Sequence, residues 1–224
     1  MSEQATPPAL PHEQLFVGGN SLMWGNSRPS ASKSDLPPGW GDTEPHPWRR
    51  YFARQLDTVI CGVFGEVAVL WAVLAINPEL GGRIAHVLVT TNVFLQAPII
   101  VALAVIPNAV LIGLSGCSIG KWIFGVRILK ADGRPIGVLK GLERELRVMV
   151  IGLGLGIPLL SIIAMIASMM GLGAKGATGW DRSMKLVVAQ RPNQFGQVVL
   201  SVIGVCAYAA LQIGFVLYRA RPGS

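Results

Sequence analysis

Asp57 and Glu66 lie in a stretch from Leu56 to Ile76 that is otherwise apolar and, as a helix, long enough to cross a bilayer. A carboxylate at mid-membrane is disfavoured by about 2.5 to 3.5 kcal/mol on insertion scales, so such a group is paired, hydrated, protonated or functional. The chemistry open to it is proton exchange, cation binding or anchoring. On a helix the two acids point to opposite sides, so they are not one site, and they would be successive stations of a relay only if polar partners surround the helix. Arg50, Arg54 and Asp57 do share a stripe, with Arg50 and Asp57 only about 20° apart around the axis. A carboxylate near a helix start is favoured by the macrodipole, and an arginine one or two turns away can pair with it at the headgroup boundary. The stripe reads either as an anchor that sets helix depth or as part of an ion pathway.

Other chemistry is scarce. Cys61, Cys117 and Cys206 are isolated in apolar or glycine-rich surroundings with no C-x-x-C pair. His12, His46 and His86 are scattered, with no H-E-x-x-H pattern, so neither a metal site nor a cofactor is expected. No nucleophile with a base can be assembled, and the chain is not expected to be an enzyme. The run Gly116-Cys117-Ser118-Ile119-Gly120-Lys121 has the look of a phosphate-binding loop, but its spacing is one residue short and Trp122 stands where the magnesium-binding Ser or Thr belongs.

These groups must be positioned by membrane helices. About half of the residues are hydrophobic, 51 %, and only 14 % are charged. Lys and Arg outnumber Asp and Glu by 19 to 12, but the excess sits in short stretches beside apolar runs. That distribution suits topology and anionic lipid, not nucleic acid. Four apolar runs qualify as helices: Leu56 to Ile76, Val87 to Leu114, Val148 to Met170, and Val198 to Tyr218. The second carries Asn92, Gln96 and Asn108, polar partners for the acids of the first. Its Pro98 and Pro107 would free the carbonyls of Phe94 and Leu103. Small-residue pairs, Gly116/Gly120, Gly152/Gly156 and Ala210/Gly214, fit close helix packing or self-association.

Arg49, Arg50 and Arg54 before the first run outweigh Arg83 in the connection after it, which predicts a cytoplasmic amino terminus. Ser115 to Arg147, with seven cations, then returns to the cytoplasm. Simple counting would put Gly171 to Gln197 outside, although it carries Lys175, Arg182, Lys185 and Arg191. Pro158, which would free the carbonyl of Gly154, together with Gly152, Gly154 and Gly156 weakens the middle of the third run. That run is either a kinked crossing or a re-entrant hairpin. Val126 to Leu129 and Lys185 to Val188 are β-prone, and their pairing would require the re-entrant form. The first 47 residues hold eight of the fifteen prolines and read as a disordered tail, in which Trp24, Trp40 and the patch 16–20 are the candidate docking residues.

With those residues in hand, the chain resembles the RDD family of bacterial membrane proteins, named for an Arg and two Asp residues. The first block is Arg50-Tyr51-Phe52-Ala53-Arg54-Gln55-Leu56-Asp57. The second is Gly116 to Arg127 with Lys121, followed by Asp132-Gly133 and Arg144-Glu145. The third is Thr178-Gly179-Trp180-Asp181. The resemblance spans roughly Trp48 to Gln190 and leaves Glu66 and the fourth run outside its motifs. It implies a multi-pass protein of the bacterial inner membrane, and a transport role, including sodium or proton antiport, as suggested for some members. If the third run returns to the cytoplasmic face, Arg50, Asp57, Lys121, Arg144 and Asp181 could share one site, with Arg144 or Lys121 neutralising Asp181 and Asp57 left to exchange cation and proton.

The expectation is therefore an α-helical membrane protein, a bundle of three or four transmembrane helices with a short cytoplasmic β-hairpin-like element. Residues 1–47 form the tail, 48–190 the membrane domain and 191–224 an added helix. The expected function is a small transporter or transporter subunit coupling monovalent cations to protons, alone, as a homo-oligomer or with a partner subunit, using Arg50, Asp57, Glu66, Lys121, Arg144 and Asp181. The alternative is a non-transporting scaffold that binds a partner.

Overall fold

Helix α1 runs from Pro47 to Ile76, and proline at its first position suits a turn whose N–H groups have no helical partner. The computed structural model describes residues 36–42, 44 and 46–219. Asn77 breaks α1 in extended conformation, and its side chain accepts from the N–H of Leu80 at 3.0 Å, starting α2, Pro78–Thr90. The expected second run is thus divided at Asn92, whose Oδ1 caps α3, Val93–Ser115, through the N–H of Phe94 at 2.9 Å. Gly116, with φ of 73°, ends α3 in the left-handed region.

Where α1 and α3 cross, glycine admits one backbone to the other. A Cβ on Gly65 would lie 2.5 Å from the carbonyl oxygen of Leu103, and one on Gly62 would strike the backbone of Ile100. Of the pairs expected to supply close packing, Gly120 does so against α1, where a Cβ would lie 2.5 Å from the carbonyl oxygen of Ala53, and Gly156 does so against α3, 2.8 Å from the backbone of Pro98, although it sits at positive φ in a broken segment. Gly116 lies past the end of α3. Gly214 has nothing within 4 Å of a built Cβ.

After the short helix α4, Ile119–Ile123, strand β1, Val126–Leu129, leads through a turn to α5, Val138–Arg147. The chain then loosens through a wide turn at Val148–Gly152 and a tight one at Gly154–Gly156 before α6, Pro158–Lys175. Gly154 packs against Leu160, and Ser161 Oγ donates to the carbonyl of Leu153 at 2.6 Å, so α6 folds back on the segment before it. The carbonyl of Gly154 is not left free by Pro158 but accepts from the N–H of Ile157 at 3.1 Å.

Helix α7, Gly179–Ser183, precedes β2, Val187–Gln190, which pairs antiparallel with β1 in the register Val126 to Gln190 and Leu129 to Val187. The two strands are far apart in sequence, so the element is a long-range pair and not a hairpin. It starts two residues later than the expected Lys185 to Val188, because Lys185 sits at φ of 54° and cannot continue a strand. Helix α8, Phe195–Arg219, follows.

The core lies at the sheet, where Ala53, Leu56, Ile112, Phe124, Val126, Ile128, Ile136, Leu186 and Val188 are buried together. Arg49 clamps this end by donating to the carbonyls of Phe124 at 2.9 Å and Arg191 at 2.9 Å. Most of the expected tail, with Trp24 and the patch 16–20, lies outside the described residues. Its described end is packed, contrary to a disordered segment running to residue 47. Leu36 and Trp40 are buried on Leu129, Val187 and Ala189, and Asp42 bridges to Gln190. A large ring flanked by Arg127 and Arg191 has both an apolar bed and a cationic cover, enough to order a short segment against a sheet edge.

Three helical stretches are long and apolar enough to cross a membrane: Pro47–Ile76, Phe94–Ser115 and Phe195–Leu217. In the last, only 6 % of the apolar window is buried within the chain, so its apolar side chains face outward.

Candidate functional site

The turn from Gly116 to Lys121 does wrap an anion, and the anion is the protein's own carboxylate. Asp57, on the inner face of α1, accepts from the N–H of Gly120 at 2.7 Å through Oδ1. Its Oδ2 accepts from Ser118 Oγ at 2.5 Å and Lys121 Nζ at 2.7 Å. Lys121 also donates to Ser118 Oγ at 3.0 Å. Glycine is required at 120, since a Cβ there would sit 2.5 Å from the carbonyl oxygen of Ala53 and 2.9 Å from Asp57 Oδ1. Asp57, Ser118 and Lys121 are all buried. The expected pairing of Asp57 with Arg50 or Arg54 is replaced by pairing with Lys121, because α4 brings an ammonium and two further donors directly onto the carboxylate.

A second buried cluster joins α5 to α7. Arg144 Nε donates to Asp181 Oδ1 at 2.8 Å and Arg144 Nη1 to Glu145 Oε1 at 2.5 Å, while Thr178 Oγ1 donates to Asp181 Oδ2 at 2.6 Å. Burial works against the charged form of Asp181, but the guanidinium of Arg144 and the two hydrogen bonds outweigh it and hold the carboxyl below the ordinary range. Burial opposes ionisation of Glu145 as well, and Lys121 and Arg144 together overcome it. Arg144, desolvated but flanked by Asp181 and Glu145, is held above its ordinary value.

Between α1 and α6 the two clusters border a cavity of about 210 Å³. Its polar end carries Arg50, Arg54, Lys121, Arg144, Asp181 and Thr178, and its other wall is a mainly apolar face of α6. Four cations therefore face it against one lining carboxylate, with Asp57 and Glu145 set behind. The Arg54 guanidinium lies over the Trp180 ring at 5.2 Å from its centroid. Gly152 leaves room for both, since a Cβ there would be 3.0 Å from Arg54 Nη1 and 3.1 Å from Trp180. Arg54 Nη1 and Trp180 Nε1 are buried with no hydrogen-bond partner among the described residues. A buried donor left so is disfavoured by about 1–3 kcal/mol, and more when charged.

The structure thus brings Arg50, Lys121, Arg144 and Asp181 to one cavity, with Asp57 bonded behind Lys121. Glu66 is not part of it. Half-buried in α1, it has no hydrogen bond or ion pair among the described residues, and Asn108 accepts from Cys61 Sγ at 3.5 Å instead. Arg54, expected on the stripe with Arg50 and Asp57, joins the site, as do Ser118, Glu145, Thr178 and Trp180, which the sequence singled out only as members of longer motifs. Their signal was adjacency: Arg54 is one turn beyond Arg50, and Trp180 precedes Asp181. His46, expected to stand alone, meets Asp42 Oδ2 at 2.9 Å, and the two lie with Glu44 so that their ligand atoms fall within 4.8 Å of one another.

No curated protein and no solved structure matches the chain at a significant level. A family model described as the RDD family matches residues 44–185, which covers α1 through α7 and every residue of the two buried clusters. With well over half of its length matched, the chain belongs to the RDD family.

Proposed function

We propose that the chain is a small membrane transporter or transporter subunit whose cavity receives an anionic group. The observation that supports this most is the state of the charges. Each buried carboxylate is already bonded to a cation, Asp57 to Lys121 and both Asp181 and Glu145 to Arg144, while Arg54 faces the cavity with a buried N–H unmatched among the described residues. Such a site attracts an anion and repels a free cation. In this reading the protein lies in the bacterial inner membrane with its amino terminus, sheet and cavity on the cytoplasmic side. The pairing of β1 with β2 supports a re-entrant third run, 148–170, because one crossing between the strands would separate them.

The test is a thermal-stability titration of purified full-length protein with sodium sulfate, sodium phosphate and sodium chloride at matched ionic strength. Phosphate or sulfate should raise the melting midpoint above chloride, and Arg54→Gln should remove the difference. Equal midpoints in all three salts would count against an anion site.

Exchange of a monovalent cation for a proton is the second reading, and one observation favours it. Glu66 is a half-buried carboxylate within a span, with no hydrogen bond or ion pair among the described residues. Asp57 would first have to leave Lys121. Sodium-driven proton flux in proteoliposomes that vanishes in Glu66→Gln would support this reading, and flux unchanged in that variant would remove Glu66 from it.

A further inference from the structure

We infer that the occupant of the cavity is the headgroup of an anionic phospholipid drawn from the surrounding bilayer, with an acyl chain laid along α6. This rests on the anion reading above and narrows it. The polar end supplies the grip. Arg54 Nη1 and Trp180 Nε1 are neighbouring buried donors with no partner among the described residues, and Trp180 is only 6 % exposed. Two N–H groups beside a fixed positive charge match the paired oxygens of a phosphate. Thr178 and Arg144 border the same end but are already committed to Asp181.

The other wall identifies the source. Ile162, Met165, Met169 and Leu172 of α6 line the cavity, with Ser161 and Ser168 among them, and a free oxyanion would fill only the polar end and leave this mainly apolar wall against water. Ile162 is also 53 % exposed on the outside of the chain, continuous with Ile163, Ile166 and Met170, whose exposures are 57 %, 49 % and 70 %. The apolar wall therefore runs from the buried donors to the surface that faces lipid. Methionine thioethers on that wall adapt to a flexible chain. A membrane amphiphile satisfies both ends at once, with no need to cross water.

The decisive experiment places the full-length protein in nanodiscs of phosphatidylcholine and titrates phosphatidylglycerol or inorganic phosphate, reading retained lipid by native mass spectrometry and stability by thermal melting. Phosphatidylglycerol should be retained in preference to phosphatidylcholine and should raise the melting midpoint. Arg54→Gln should weaken it about tenfold or more, and Arg54→Lys, which keeps the charge, should recover part of that loss. Met169→Trp, which fills the apolar wall, should also weaken lipid retention. Stabilisation by inorganic phosphate with no preference for phosphatidylglycerol would overturn the lipid inference while leaving the anion reading standing. No response to either probe would overturn both. Phosphatidylglycerol retention undiminished in Arg54→Gln and Met169→Trp would place the lipid on the outer surface and overturn the inference as well.

Discussion

Lys121 Nζ lies 2.7 Å from Asp57 Oδ2 across 64 residues of sequence, and both side chains are almost wholly removed from solvent, at 5 % and 1 % exposure. The pair ties the start of α1 to the turn after α3, and the N–H of Gly120 and the hydroxyl of Ser118 complete the carboxylate's shell. A carboxylate bonded to three donors is held in place. The Asp of the first family block therefore acts as a lock between two segments.

Removing one member of that lock leaves the other buried and uncompensated, which is disfavoured by about 3–5 kcal/mol. Asp57→Asn and Lys121→Met should each lower the melting midpoint of the detergent-purified protein strongly. The double change Asp57→Leu with Lys121→Met should be less damaging than the sum of the single changes. Additive losses in the double-mutant cycle would show that the two residues do not depend on each other.

Acid should loosen the second cluster. Asp181 and Glu145 are held below their ordinary values of 3.8 and 4.5, because Arg144, with Lys121 at Glu145, outweighs the burial that opposes their charge. A depressed folded pKa means that their contribution is complete above those unfolded values and is lost as pH falls through the lower folded ones. Arg144 is raised, so its contribution is complete at neutrality and is lost only as pH rises past the ordinary arginine range, which leaves the acid limb to the two carboxylates. The contribution of this cluster to the melting midpoint should be flat between about pH 5 and 7 and fall below about pH 4. Asp181→Asn should lower the midpoint at neutral pH and make the acid limb shallower. An unchanged acid limb in that variant would remove Asp181 from the effect.

The crossing of α1 and α3 depends on the absence of side chains. Gly65→Val would drive a Cβ into the backbone oxygen of Leu103, a contact that cannot be relieved by rotating a side chain. A destabilisation of about 1–3 kcal/mol is expected, as for other overpacked sites. Gly214→Ala, with open space around it, should leave the midpoint unchanged and serves as the control.

Topology can be read by labelling. In a background with Cys61, Cys117 and Cys206 replaced by alanine, Asp132→Cys and Gln194→Cys should react with an impermeant maleimide from the same side of the membrane. Glu79→Cys, in the exposed first turn of α2, should react from the other. Opposite labelling of 132 and 194 would be incompatible with a sheet formed by β1 and β2 in the membrane-inserted protein.

How far the site could be read from the sequence depends on the range of each interaction. The stripe of Arg50, Arg54 and Asp57 follows from helical periodicity, and Asn77, Asn92 and Gly116 punctuate helices by local backbone preference. Both β-prone segments are legible, the first with its bounds at Val126 and Leu129 and the second two residues early, since the positive φ of Lys185 is set by its surroundings and not by its type. The place of Trp40 is not legible in the sequence, because its bed, Leu129 with Val187 and Ala189, comes from two distant strands.

By itself the sequence determined the membrane class, the apolar runs from which the helices are built and the family blocks, because hydropathy and periodicity are properties of contiguous residues. Only the tertiary structure decided which cation meets which carboxylate. Lys121 takes Asp57, Arg144 takes Asp181 and Glu145, and Arg54 is left against Trp180. It also separated Glu66 from the cavity. Ion pairing acts over a few ångströms in space and is indifferent to distance along the chain, so the partner of each charge is chosen by how the helices pack.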